Sequence, residues 1–229
     1  RFRFHVFKII LYFSNHINYC WSIMLSKFLT FSILIIYCSL SRLVSAEMTI
    51  EKLIFDDSKP FHLKILDVVP KEAIIQIGAD DSKNTIIEFM DYFCGYCKKM
   101  NTELVEIANE RDDVRVIFLQ YPILNESSFA ISKMVIAANY QGKGYDLHHS
   151  IFSSEGALTN EKLKQAIISS GLNEQKLKID MGKDQTEQIL HLTTFIAGGV
   201  GARGTPALFV NENFSPGYIP KNRIISLLK

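Results

Sequence analysis

Cysteine is scarce in this chain. There are four in 229 residues, and only Cys94 and Cys97 lie beyond residue 46. One close pair with no other thiol excludes a fold stapled by a disulfide framework. It also argues against zinc, because there is no second cysteine pair and His62, His148, His149 and His191 show no ligand spacing. Excess positive charge is missing too: residues 47–229 carry 20 basic and 24 acidic side chains, a balance that does not invite nucleic acid. No internal repeat or low-complexity tract interrupts them.

Acidic residues are absent from the first 46 positions, which hold five basic ones, Arg1, Arg3, Lys8, Lys27 and Arg42. From Met24 a short basic stretch leads to the apolar run Phe28 to Cys38 and then to Val44-Ser45-Ala46, the order of a secretory signal peptide cut after Ala46. The run is 11 residues long, against the roughly 20 of a membrane span, so an uncleaved anchor is the less favoured reading. Residues 1–23 have no starting Met and read as upstream translated sequence. The expected product is an exported chain of residues 47–229, periplasmic or otherwise secreted, in an oxidising compartment.

Within that chain, Thr85-Ile86-Ile87-Glu88-Phe89-Met90 reads as a strand that runs through Asp91-Tyr92-Phe93 into the cysteine pair. Cys97, Met100, Leu104, Ile107 and Ala108 then recur at helical spacing to about Asn109, and Val114 to Leu119 is a second strand. A strand-helix-strand unit of this kind implies a parallel pair with a right-handed crossover. Between Pro122 and Gly199 the β signals vanish, and 127–140, 146–152, 161–170 and 185–196 read as helices, with Thr159 or Asn160 as an N-cap and Gly171 as a C-cap. Ala207 to Val210 resumes a strand, a turn and a short strand follow, and Pro220 to Leu228 reads as a closing helix. Upstream, Phe61 to Val68 and Ile74 to Ile77 read as an edge strand or hairpin. The sum is an α/β unit with a helical block inserted at about residues 122–199.

Cys94-Gly95-Tyr96-Cys97 falls where strand hands over to helix. Free amide N–H groups and the positive helix end stabilise a thiolate there, which makes Cys94 the expected nucleophile and Cys97 the buried partner that closes the disulfide. A purely structural bridge across so small a loop would stabilise little, which favours a redox role. Glu88 is a carboxylate inside an apolar strand, expensive to bury unpaired. Two readings stand: a polar side chain that finds solvent or a lysine, or a proton acceptor beneath Cys97. The loop Gly201 to Ala207 contains Thr205-Pro206, which from sequence alone is an ordinary trans turn, since X-Pro bonds in folded proteins are cis only ~5–6% of the time.

Glu88 to Lys98, the helical insertion, and Gly204-Thr205-Pro206-Ala207-Leu208-Phe209-Val210 together resemble the DsbA-type thiol:disulfide oxidoreductases of the thioredoxin-like superfamily, over approximately Val69 to Lys229. The resemblance implies a thioredoxin-like fold with an inserted helical domain and catalysis by Cys94 and Cys97 without cofactor or metal. It implies that Pro206 is cis against the Cys94–Cys97 pair and that the Thr205 backbone pairs with a substrate segment. It assigns Glu88 the role of the buried proton acceptor. The implied partners are unfolded or partly folded client proteins with cysteines, and a quinone-linked membrane oxidase of the DsbB type. Two departures temper the reading: the dipeptide Gly95-Tyr96 supplies no imidazolium, which points to a milder oxidant, and Gln120 stands where many relatives place lysine near the buried acid. Two alternatives remain: an isomerase or reductase, with Glu47 to Pro70 as a dimerisation arm or merely a strand and linker, and a non-catalytic module that binds peptides along Thr205-Pro206.

Overall fold

A computed structural model describes residues 59–229. The leader expected over residues 24–46, the upstream stretch 1–23 and the first half of the arm, 47–58, lie outside the described residues.

The described chain runs α1 (Phe61–Val68), a 3-10 turn (Lys71–Ala73), β1 (Ile75–Ile77), β2 (Asn84–Met90), α2 (Gly95–Glu110), β3 (Val114–Gln120), α3 (Glu126–Asn139), α4 (Gly144–Ser153), α5 (Asn160–Ser169), α6 (Glu174–Met181), α7 (Asp184–Gly199), β4 (Ala207–Val210), β5 (Asn213–Ser215) and α8 (Lys221–Ile225). The strands form one sheet in the order β1-β3-β2-β4-β5. β2 and β3 pair in parallel across the α2 crossover, and the other neighbours are antiparallel. This is the α/β unit with an inserted helical block that the sequence implies, the block running from Glu126 to Gly199.

β2 is central and buried at all seven positions. The pleat sends Ile86, Glu88 and Met90 to one face with Val116 and Phe118 of β3, where Cys97, Met100, Leu104 and Ile107 of α2 cover them. Ile87 and Phe89 point the other way with Ile117 and Leu119, under Ile65 of α1 and Ile189, Leu190 and Ile196 of α7. Each fully buried Ile or Phe contributes about 1.5–3 kcal/mol, so the sheet is held between two apolar layers. Residues from α3 to α6, among them Val135, Leu147, Ile151, Ala166 and Leu177, extend the α2-side layer.

Three elements differ from the expectation. Phe61–Val68 is a helix, not an edge strand or hairpin. Phe61, Leu63 and Ile65 alternate with His62 and Lys64 as in a strand, yet Ile65 and Val69, four residues apart, are the pair packed into the core. The closing helix ends at Ile225, well short of Leu228. Glu174–Met181 is a helix absent from the sequence reading: it is polar, it buries only Leu177 and Asp180, and Asn173 caps it by accepting from the Lys176 N–H. Thr159 is the N-cap of α5, accepting from the Lys162 N–H, and Gly171 follows its end with φ 64°.

Candidate active site

Cys94 is the N-cap of α2, with extended backbone. Its own N–H donates to the Asp91 carbonyl at 3.1 Å, closing the turn between β2 and α2. Its sulfur accepts from the Cys97 N–H at 3.3 Å and donates to the Thr205 carbonyl at 3.2 Å. Both thiols are free. Cys94 retains 9% exposure while Cys97, one turn into the helix on its apolar side, has none.

This placement splits the two thiols. The Cys94 thiol is lowered to about 6, chiefly by the hydrogen bond from the Cys97 side chain, against burial and with help from Thr205 and from the N–H groups of Cys97 and Tyr96. Burial pushes the Cys97 thiol far above the ordinary range, and the neighbouring Cys94 and Glu88 add to it. One sulfur is thus a thiolate at neutral pH and the other a thiol, as an exchanging pair requires.

Glu88 is fully buried on the sheet face that carries Cys97. Burial first, and the charge of Cys94 second, raise its carboxyl well above the usual range, while the adjoining Cys97 thiol opposes them. Among the described residues neither carboxyl oxygen has a hydrogen-bond partner of good geometry, nor does either amide atom of Gln120, which is buried two positions along on β3. Of the two readings open for Glu88, a side chain that reaches solvent or a lysine is ruled out by this burial; an acid beside Cys97 is what the geometry holds.

β4 pairs antiparallel with β2, Phe89 opposite Ala207. That register carries Thr205 and Pro206 past the end of the ladder to the Cys94 turn. The Thr205–Pro206 peptide is cis, in agreement with the resemblance and against the bare base rate. Gly95 and Tyr96 are exposed. The Tyr96 ring leans on Tyr218 at 5.6 Å, whose hydroxyl donates to Glu103 Oε1 at 2.6 Å and whose face lies 4.5 Å from Lys99 Nζ. With Phe93, Ile123 and Leu124, Tyr96 gives an exposed apolar rim.

Several supporting residues carry no motif. Asp91 is fully buried and accepts from the N–H of Phe93 at 2.9 Å, of Ile123 at 2.9 Å and of Leu124 at 3.0 Å, and from the Ser128 hydroxyl at 2.8 Å. It ties the Cys94 turn to the β3–α3 loop. Tyr92, Asn101 and His148 form a second buried polar group beneath the site. The signal for Asp91 was a carboxylate at the end of an apolar strand; for the others there was none, because they lie on three separate elements.

A family model described as thioredoxin matches residues 71–228. Among solved structures, the chain is similar to a periplasmic thioredoxin-like protein from Salmonella enterica serovar Typhimurium, at 24% identity over 78% of this chain and 93% of that one, with a TM-score of 0.62. It is also similar to the thiol-disulfide exchange protein alpha-DsbA2 from Wolbachia pipientis, at 22% identity over 82% and 96%, with a TM-score of 0.62. Likeness at these identities speaks to the fold. A curated relative, the Na(+)/H(+) antiporter NhaA 1 of Mycolicibacterium gilvum, is 23% identical over 159 residues, 67% of this chain and 26% of that protein. The chain spans about a quarter of the length of the curated relatives it matches.

Proposed function

The chain belongs to the thioredoxin family and carries its DsbA-type fold, and on that premise we propose that it is an exported thiol:disulfide oxidoreductase that introduces disulfide bonds into client proteins through Cys94 and Cys97. The observation that carries the reading is the unequal pair: a Cys94 thiol lowered to about 6 beside a Cys97 thiol pushed far up by burial. Stabilising the Cys94 thiolate favours the reduced protein, so its disulfide is readily given up.

A client thiolate attacks Cys94 of the disulfide. The client–Cys94 bond forms, the Cys94–Cys97 bond breaks, and the Cys97 sulfur leaves with the electron pair and takes a proton from Glu88. A second client thiolate then displaces Cys94. The client is oxidised by two electrons and the Cys94/Cys97 pair is reduced. Thr205, beside Cys94 on an uncovered loop, offers main-chain hydrogen bonds to an extended client segment, with Pro206 behind it and the apolar rim of Phe93, Tyr96, Ile123 and Leu124 around it. Regeneration falls to a quinone-linked membrane oxidase of the DsbB type, and the site of action is the periplasm, where the Salmonella relative is placed by its description.

A second reading has its own support. The 94 thiol lies between the roughly 3.5 of a strong oxidant and the roughly 7 of thioredoxin, and Gly95-Tyr96 brings no cation. Disulfide isomerisation by the reduced form fits that middle value. Equilibrating the Cys94–Cys97 disulfide with a glutathione series at neutral pH tests both. A potential of roughly −120 to −180 mV supports donation or shuffling, and one near about −270 mV makes the protein a reductase and ends the oxidase reading.

A further inference from the structure

The two flanks of the Cys94 turn differ in charge. β3 and β5 lie on opposite sides of β2 in the sheet, so the loops that leave them reach the turn from opposite sides. From the β3 side come Ile123 and Leu124, anchored by their N–H groups to Asp91 and exposed at 41% and 50%. With Phe93 they make an apolar flank, and the next charged residue along that loop is an acid, Glu126. From the β5 side comes Tyr218, which meets Tyr96 and Lys99 of α2.

This second flank is a fixed aromatic platform with a cation on it. The Tyr218 hydroxyl donates to Glu103 Oε1 at 2.6 Å, which ties the ring to α2. Tyr96, 63% exposed, leans on that ring at 5.6 Å between centroids. Lys99 follows Tyr96 by three residues, on the same face of the helix, and sets its Nζ 4.5 Å from the Tyr218 centroid. It is exposed, and among the described residues it forms no ion pair: Glu103 is turned to Tyr218, and Glu106 and Glu110 are taken by Lys221. Arg203, exposed two residues before Thr205, is a second cation with no ion pair among the described residues.

We propose that Lys99, with Tyr96 and Tyr218, determines specificity: it selects client segments that carry Asp or Glu two residues from the reacting cysteine. The inference rests on the exchange chemistry proposed above and names the class of client. In an extended segment side chains alternate, so the residue next to the cysteine points away from the enzyme and the one two along points the same way as the sulfur. That residue lies about 7 Å from the cysteine. Lys99 stands five residues beyond Cys94, about 7.5 Å along α2, a matching span. A carboxylate there pairs with the ammonium while its methylenes lie on the Tyr96 ring. The residue two along in the other direction meets Phe93, Ile123 and Leu124, where an apolar side chain fits. The direction of the segment along Thr205 sets whether the acid precedes or follows the cysteine.

The test uses the full oxidised chain and single-cysteine peptides of otherwise apolar sequence, each with Glu or Lys at one of four places, one or two residues before or after the cysteine. The rate at which each peptide thiol opens the Cys94–Cys97 disulfide is measured at low ionic strength. Dividing it by the rate of the same peptide with 2-hydroxyethyl disulfide removes the effect of the charge on its own thiol. At one of the two-residue places Glu is expected to react about threefold faster than Lys, the size of one exposed ion pair, and added salt should erase the difference. Lys99→Glu should reverse the preference and Lys99→Gln remove it, while the adjacent places show none in any variant. An equal preference at all four places, none at any, or one that survives Lys99→Glu overturns the inference, and wild-type exchange with glutathione still supports the functional reading. No exchange of the wild-type chain with glutathione or any peptide overturns the functional reading itself and this inference with it.

Discussion

The Cys94 sulfur donates to the Thr205 carbonyl at 3.2 Å across 111 residues of chain. That contact joins the helix cap to the loop before β4 and favours the protonated sulfur, but the Cys97 side chain and the N–H groups of Cys97 and Tyr96 outweigh it and lower the thiol to about 6. The thiolate is the attacking species, so alkylation of reduced protein by iodoacetamide should rise through pH 6 and level off above it, with Cys94 as the modified residue and Cys97 untouched. A rate that keeps climbing to pH 9 contradicts the stabilised thiolate. The same depression acts on stability. The folded thiol titrates at about 6 and its ordinary value is 9.0, so between these the unfolded chain binds more protons and reduced protein gains stability as pH rises. The gain is complete above pH 9 and lost as pH falls through 6. Oxidised protein lacks the thiol and should show no such gain.

Glu88 gives a dependence of opposite sign. Its folded carboxyl is held above the ordinary 4.5 by burial, so above pH 4.5 the folded state binds more protons than the unfolded one and stability falls as pH rises. In oxidised protein, where neither thiol titrates, the urea midpoint of Glu88→Gln relative to wild type is expected to increase from pH 5 to pH 8. A constant difference would mean that Glu88 is ionised throughout and unperturbed by its site.

These two residues also mark what was legible in the chain. The cysteine pair declares itself by spacing and by its position at a strand-to-helix boundary, and Glu88 by being a charge in an apolar run. The parallel β2–β3 pair follows from two continuous β-rich apolar runs, as strands buried on both faces give, and α2 from a period of 3.6 over sixteen residues. Short segments fail for a physical reason: over five residues, Phe61 to Ile65 fits both periods, and only the packing of Ile65 and Val69 beneath Ile87 and Phe89 selects the helix. The Asn101–His148–Tyr92 line was illegible because each residue is unremarkable in its own element. In the sequence His148 offers only a metal-ligand reading, and its partners lie 47 and 56 residues away.

Asp91 is expected to matter for stability and, through it, for reactivity. Its carboxylate satisfies three N–H groups and one hydroxyl, and a buried donor left unpaired costs about 1–3 kcal/mol. Relaxation will rescue some donors, so Asp91→Ala should lower the urea unfolding free energy by roughly 3 kcal/mol. Asp91→Asn, which keeps one oxygen acceptor, should fall between it and wild type. Because Asp91 also braces the turn whose carbonyl receives the Cys94 N–H, the iodoacetamide profile should move in the alanine variant. A loss within about 0.5 kcal/mol, the range of surface substitutions, would show that the loop finds other acceptors.

The division of labour between the sulfurs is tested by trapping. If Cys94 receives the client and Cys97 only opens and closes the internal bond, then Cys97→Ser leaves the more accessible sulfur in place as nucleophile and removes the thiol that releases the client. Reduced Cys97→Ser should therefore accumulate a mixed disulfide with an oxidised peptide, visible as a mass shift that dithiothreitol reverses. Cys94→Ser should form none, because its remaining thiol has no exposure and is held protonated by burial. Adding Glu88→Gln to the wild-type pair should slow the step in which Cys97 attacks the mixed disulfide, since the thiol then has no carboxylate beside it to accept its proton, while the first attack by Cys94 keeps its rate. Equal slowing of both steps would place Glu88 in the shape of the site, with no part in moving the proton.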